Sequence, residues 1–433
     1  APRMSRSARE VALEVIRRVT DEGAYSNRVL PSALARSSLD ERDRALATEL
    51  AYGTIRHTPG LDDAIGARAA RPVARMTPGA RAALRLGAYQ VLHTRIPAHA
   101  AVGETVGIVV PRERGFVNAI LRRLAKDPPL PPAGRDDRAI SLRTGMTAWA
   151  IAELRTLLPP EEVESAAAGF SARAPLSLRV NTCRSTVEEV LAALVASGVD
   201  GRIGTVHPEC VLVDGGDPTA LPGWNEGWIA VQDQASAFVV DTLAPEAGDG
   251  VLDVCAAPGG KTGLIACRVG AAGRPIAADL RPERVALIAS LLERLGLRAH
   301  LLSQDATRPA LRGPFDRVLV DAPCTGIGSA RRRPELLWRG RREELSRLAR
   351  LQVAIAAAAA ELLRPGGRLV YSVCTFPRAE TDAACDAIAR HRPDLIPVAT
   401  PGPAGAALAI RHRLWPHRDG TDGMFVAAFE RTA

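Results

Sequence analysis

The sequence predicts a multidomain chain: an all-α N-terminal part, a small α+β module, and a C-terminal α/β domain on a parallel sheet. Three observations predict it. The length of 433 residues exceeds one ordinary hydrophobic core. Apolar residues recur at helical spacing throughout 5–126. From residue 233 onward short apolar runs alternate with helical segments, the pattern of a parallel sheet.

The N-terminal part, residues 1–126, reads as successive amphipathic helices. "SAREVALEVIRRVT" sets Ala8, Val11, Ala12, Val15 and Val19 on one face. Asp40 is the expected cap of the helix in "LDERDRALATELAYGTI". Thr77 caps another, with Pro78 at its first helical position. "VNAILRRLAK" closes the series. The proline-rich "DPPLPPAGRDD", residues 127–137, is the expected linker. Over 138–232 come two short helices near 147–157 and 160–170, then "LSLRVNT" with Leu176, Leu178 and Val180 alternating as in a strand. A helix over about 185–197 and the short strands "CVLVD" and "WIAVQD" complete the module. In 233–433 the expected strands are 251–255, 275–279, 299–303, 317–321 and 368–374. "DGMFVAAFERT" reads as a last strand, antiparallel at or near the edge.

Composition narrows the classes. No apolar stretch reaches the roughly 18 uncharged residues of a membrane helix. "APRMSRSARE" has no apolar signal core, so a cytoplasmic protein is expected. Seven cysteines without a CxxC pair argue against a disulfide framework and against a zinc or other metal site. His57, His93 and the other histidines show no ligand spacing. A net charge of +8 makes a polyanionic partner reasonable. Almost all the positive charge is arginine. The only lysines are Lys126 and Lys261, so Lys261, inside a glycine-containing loop, stands out.

Ligands of parallel sheets bind beyond the carboxyl ends of the strands. One such end opens into "DVCAAPGGKT". A P-loop would require glycine where Cys255 stands, and no G-x-G-x-x-G spacing occurs. The remaining reading is a loop for S-adenosylmethionine: Cys255, Ala256, Ala257, Pro258, Gly259, Gly260 and Lys261, with the glycines allowing close backbone approach. Asp279, ending the next strand, is placed to accept from both ribose hydroxyls, a geometry that serves NAD equally. Asp305, after the third strand, is placed for the adenine amino group. Two further strand ends carry thiols. "LVDAPCTGIG" holds Asp321 and Cys324, and "RLVYSVC" ends at Cys374. Spacing alone does not say which sulfur reacts. A lone cysteine is usually a small buried hydrophobe, the expectation for Cys183, Cys210, Cys267 and Cys385.

Taken together, "VQDQASAFVVDTLAPEAGDGVLDVCAAPGGKT", "DAPCTGIGSARRRPELLWR" and "YSVCTFPRAET" resemble the RNA cytosine-5 methyltransferases of the bacterial RsmB (Sun/Fmu) type. The resemblance implies a Rossmann-like class I methyltransferase domain over 233–433 and a NusB-like RNA-binding domain over 1–126. It makes 138–232 an RNA-positioning module. It implies S-adenosylmethionine as cofactor and 16S rRNA, not yet fully assembled, as partner. A monomer without metal or membrane attachment is expected. It gives Cys374 the attack on cytosine C6, Cys324 the release step, and Asp321 the N3 and amino edge of the base. The family usually has Thr-Cys where this chain has Val373-Cys374, which removes a hydroxyl beside the thiol. Arg331, Arg332, Arg333 and Arg339 follow the Cys324 loop and are expected to bind RNA phosphates. The rival functions are the same chemistry on tRNA, a non-catalytic NusB-like scaffold, and an NAD-binding oxidoreductase.

Overall fold

Helical periodicity in the first 126 residues folds as expected in the computed structural model, which describes residues 6–69, 71–130 and 132–432. The first five residues of the N-terminal part and Pro131 of the proline-rich stretch lie outside the described residues. Helices run over Ala8–Thr20, Ser26–Ala35, Glu41–Arg56, Thr58–Arg68, Pro78–His93, Ala98–Gly107 and Pro111–Lys126. A capping box of Ser7 and Glu10 starts the first helix, and Asp40 and Thr77 cap where the sequence placed them. The apolar faces meet in one core. Val11, Val15, Ile16, Leu50, Ile55, Leu84 and Leu121 are fully buried there. Each such side chain contributes about 1.5–3 kcal/mol of transfer free energy.

This first compact unit comprises residues up to Ala172 together with 330–340. Three short helices, Asp137–Thr144, Ala148–Arg155 and Val163–Ser171, belong to it. The boundary in contacts therefore falls at residue 172, beyond the proline-rich stretch. Composition marks where the chain cannot continue a helix. It does not mark where packing stops, and Asp137–Thr144 packs against Thr58–Arg68.

The second unit holds 173–329 and 341–433. Its small antiparallel sheet has the order β2-β3-β1-β4, from β1 (Leu176–Val180), β2 (Gly201–Ile203), β3 (Cys210–Val213) and β4 (Ile229–Val231). Leu178, Val180, Val211 and Val213 pack there with Val190 and Leu194 of the helix Val187–Ala196. The large sheet contains β5 (Gly250–Asp253), β6 (Arg274–Asp279), β7 (His300–Ser303), β8 (Phe315–Asp321), β9 (Leu363–Val373), β10 (Leu395–Val398), β11 (Arg411–Leu414) and β12 (Met424–Arg431). Its order is β10-β12-β9-β8-β5-β6-β7. β5 to β9 are mutually parallel, and β12 runs antiparallel to β9. β10 and β11 share the other side of β12, which keeps the last strand one place in from the edge. Among the described residues no helix is long and apolar enough to cross a membrane.

One expectation is corrected. Cys183 and Cys267 form a disulfide, with an S–S distance of 2.12 Å. Neither is a buried small hydrophobe: Cys183 is exposed and Cys267 half-buried. The two are 84 residues apart, so no local spacing announces the pair; the turn after β1 and the last turn of the helix Gly260–Val269 bring them together. Cys210 and Cys385 are buried free thiols, as expected. A cross-link closing a loop of that length stabilises by up to about 4.5 kcal/mol in the chain-entropy picture. Cys183→Ser should therefore lower the thermal unfolding midpoint under non-oxidising, non-reducing conditions, and dithiothreitol should lower the unsubstituted protein to the same value. Equal midpoints for all three samples would show that the bond adds nothing.

Candidate active site

The parallel strands bring their carboxyl ends to one rim. β5 ends at Asp253, β6 at Asp279, β8 at Asp321, and β9 at Val373, one residue before Cys374. β6 and β7 extend the sheet from one side of β5, while β8 and β9 extend it from the other. The rim next to β5 is thus a topological switch point, where crevices form.

The loop after β5 turns sharply into the helix Gly260–Val269. Gly259 has φ +106°. A Cβ on it would be strained there and would sit 3.1–3.2 Å from Ile288. The Ala256 N–H donates to the Ala278 carbonyl at 2.8 Å, and the Ala257 N–H to Asp279 Oδ2 at 3.2 Å. Asp279 is buried, and Arg284 Nε donates to its Oδ1 at 2.9 Å. Cys255 is half-buried in the same loop, and burial pushes its thiol up. Pro258 faces solvent. Asp305 is also exposed. Its Oδ1 accepts from the backbone N–H and hydroxyl of Thr307, which hold its carboxyl below the usual range.

Asp253 was not singled out from the sequence, although it ends its strand as Asp279 and Asp321 end theirs. It is fully buried. Oδ2 accepts from Thr262 Oγ1 at 2.8 Å, and Oδ1 is buried without a partner. Burial pushes its pKa up to about 7. Lys261 Nζ donates to Asp321 Oδ2 at 2.7 Å, and Ser372 Oγ donates to Oδ1 at 2.8 Å. Burial would lower the Lys261 pKa, but the Asp321 charge and hydrogen bond outweigh it and hold the ammonium above its usual value.

The two thiols converge. Cys324 Sγ and Cys374 Sγ lie 3.4 Å apart, both half-buried. The Cys324 thiol is held well above its usual range by its hydrogen bond to Cys374, by burial, and by the neighbouring charges of Glu380 and Asp321. The positive charge of Lys261 acts on Cys374. The loops carrying them are clasped. The Gly328 N–H donates to the Cys374 carbonyl at 3.0 Å, and the Gly328 carbonyl accepts from the Gly423 N–H at 2.9 Å. A Cβ on Gly328 would lie 2.1 Å from the Gly423 oxygen, so only glycine fits. Val373, in place of the family threonine, is fully buried in the core. Hydroxyls stand one residue past each cysteine: Thr325 and Thr375 Oγ1 are 2.7 Å apart.

The arginine run is built into the fold. Residues 330–340 pack within the first unit. Arg339 donates to the carbonyls of Gly23 at 3.1 Å and Ala24 at 2.7 Å, and also to that of Val19. Those are carbonyls at and just beyond a helix C-terminus, which require donors. Arg339 is therefore an internal cap. Trp338 packs as well, its Nε1 donating to the Ile55 carbonyl at 2.8 Å. Arg331 is buried, Arg332 and Arg333 are half-buried, and the exposed members of the run are Arg341 and Arg342.

Comparison with known proteins covers nearly the whole length. The family model described as 16S rRNA methyltransferase RsmB/F matches residues 240–430. The NusB family matches 6–126, and the ferredoxin-like domain of RsmF/B-like methyltransferases matches 146–219. A chain from Mycobacterium tuberculosis (strain H37Rv) is 40% identical over 98% of this chain and 96% of its own. Ribosomal RNA small subunit methyltransferase B of Vibrio cholerae is 33% identical over 98% of both chains. The crystal structure of PH0851 superposes with a TM-score of 0.84 at 25% identity, over 99% of this chain and 100% of that one.

A buried carboxyl raised to about 7 makes a testable statement about stability. Its folded pKa exceeds the unfolded one, so the folded form binds the extra proton and this contribution falls as pH rises from about 4 to 7. Asp253→Asn removes that dependence while keeping an acceptor for Thr262. The variant's stability relative to the unsubstituted protein should rise across that window in urea titrations and level off above it. A difference independent of pH would contradict the assignment.

Proposed function

The chain belongs to the RsmB/F family of 16S rRNA methyltransferases, and on that footing we propose that it methylates cytosine C5 in 16S rRNA through a transient bond between Cys374 and C6. The observation that carries this reading is the pair of sulfurs 3.4 Å apart at the rim where the glycine loop and Asp279 also open. Carbon methylation of a pyrimidine needs a thiol at such a rim; methylation of an amino group does not.

Bound S-adenosylmethionine supplies an electrophilic methyl group. The cradle suits such a ligand: Gly259 adopts a conformation that keeps a side chain out, and Asp253 leaves one buried oxygen without a partner beneath the loop. Gly259 and Gly260 would lie against it, Asp279 would accept from the ribose hydroxyls, and Asp305 would take the adenine amino group. Cys255, Ala256, Ala257 and Pro258 contribute backbone and shape.

Cytosine C5 is a weak nucleophile. Attack of a Cys374 thiolate on C6 makes C5 enamine-like, splitting one hard step into easier ones. Lys261 beside Cys374 favours the thiolate, the form that reacts. Each Asp321 oxygen keeps a second lone pair beyond its bond to Lys261 or Ser372. Those lone pairs would hold the cytosine amino group, and N3–H once N3 is protonated. After the C5–methyl bond forms, Cys324 helps pass the C5 proton to water. The C6–S bond then breaks, restoring the ring double bond and the Cys374 thiolate. The target base must be unstacked to reach the rim. The net charge of +8 suits a polyanionic substrate.

Mapping 5-methylcytosine by bisulfite sequencing of 16S rRNA incubated with the protein and S-adenosylmethionine tests the reaction; one new modified cytosine is expected, and none would overturn it. Cys374→Ala should lower methyl transfer on the order of 10⁴-fold or more, with cofactor affinity nearly unchanged. Cys324→Ala should permit attack but stall release, leaving RNA attached through denaturing electrophoresis. RNA affinity should fall with salt with a log–log slope of about 0.7 per phosphate contacted.

A further inference from the structure

Beneath the paired thiols lies a hydrogen-bond network to which no role in the reaction has been given above. Glu380 follows β9 and is fully buried. Its Oε1 accepts from the Thr325 N–H at 3.0 Å and from Gln352 Nε2 at 2.9 Å, and its Oε2 accepts from Thr325 Oγ1 at 2.6 Å. The Thr325 proton is thereby committed, so Thr375 Oγ1 is the donor in the 2.7 Å pair with Thr325. Gln352 Nε2 also donates to the Pro323 carbonyl at 2.9 Å. The Tyr371 hydroxyl lies 2.7 Å from the Glu380 carbonyl and 2.9 Å from Gln352 Oε1. Pro323 and Thr325 flank Cys324, and Thr375 follows Cys374. One carboxylate thus reaches both loops.

We infer that Glu380 is a positioning residue that locks the Cys324 loop to the Cys374 loop and sets a negative charge against Cys324, so that Cys324 is the sulfur held as a thiol. A buried carboxyl is normally disfavoured as an anion, and burial does push Glu380 up. Three donors converge on its oxygens and favour the charged form. The charged and titratable groups facing the sulfurs divide by element. Glu380 and Tyr371 come from β9 and its extension, Asp321 from β8, and Lys261 from the helix Gly260–Val269. Glu380 and Asp321 oppose ionisation of Cys324, and the Lys261 charge acts on Cys374. The inference rests on these two sulfurs being the reacting pair, and it supplies a physical reason for the division of labour between them.

The test separates geometry from charge. Glu380→Gln keeps two acceptor contacts on Oε1 and can donate to Thr325 Oγ1, preserving the lock without the charge. Glu380→Ala removes both. In the full-length protein, alkylation of each cysteine by iodoacetamide is followed against pH by peptide mass spectrometry, with buried Cys210 and Cys385 as controls. In the unsubstituted protein Cys374 is modified at lower pH than Cys324. In Glu380→Gln the Cys324 midpoint falls by about one pH unit while that of Cys374 stays. Glu380→Ala lowers kcat on the order of a hundredfold, the scale of misplaced reacting groups, with cofactor affinity unchanged, and Glu380→Gln restores most of that rate. An unshifted Cys324 midpoint in Glu380→Gln, or an unsubstituted rate in Glu380→Ala, overturns the inference. The alkylation order is read without RNA, so it can fail while 5-methylcytosine still forms, or hold when none does.

Discussion

Parallel pairing of β8 with β9 is the constraint on which the site depends. The register sets Asp321 opposite Ser372, and the Ala322 N–H continues the ladder to the Ser372 carbonyl at 2.9 Å. Two strands leaving the sheet side by side deliver their next residues to one place. Cys324 lies three residues past the end of β8 and Cys374 one past the end of β9, and the sulfurs meet. A slip of one residue would turn Ser372 away from Asp321 and swap every core-facing side chain of β9 with its neighbour. Tyr371 and Val373, both fully buried, could not tolerate that exchange. Core packing therefore fixes the spacing of the reactive groups.

Electrostatics then differentiates groups that the backbone makes equivalent. Three strand-end aspartates crowd one rim, and each is managed differently. Asp253 is buried with its carboxyl raised, Asp279 is bound to Arg284, and Asp321 is paired with Lys261. In a chain whose positive charge is almost all arginine, a lysine at this position has a physical explanation. Its ammonium is a compact point charge that fits beneath a loop and faces both Asp321 and Cys374. A planar guanidinium would require a wider, bidentate partner.

Much of this was legible in the sequence because the chemistry sits at strand ends, where an apolar run stops at a polar residue. The parallel strands, Asp279, Asp321, Lys261 and the two cysteines all follow that rule. Asp253 obeys it too, but it sits inside the run "VLDVC", which continues two residues past the end of the strand. What the sequence did not disclose depends on distant packing. Arg339 looks like the other arginines of its run until the carbonyls of Val19, Gly23 and Ala24 appear beside it. Cys183 and Cys267 carry no spacing signal across 84 residues. The proline-rich stretch breaks a helix without breaking the contacts that extend to residue 172. Glu380 lies inside a recognisable motif, yet its function as a buried acceptor depends on Thr325 and Gln352, more than fifty and about thirty residues earlier.

The central claim is that sulfur of Cys374, and not of Cys324, bonds to the pyrimidine ring. RNA carrying 5-fluorocytosine at the target position blocks loss of the C5 substituent and should arrest the enzyme as a covalent complex in the presence of S-adenosylmethionine. Proteolysis and mass spectrometry of that complex should find the nucleotide on the peptide containing Cys374. A nucleotide on the Cys324 peptide, or no complex under conditions where ordinary RNA is methylated, would contradict the account.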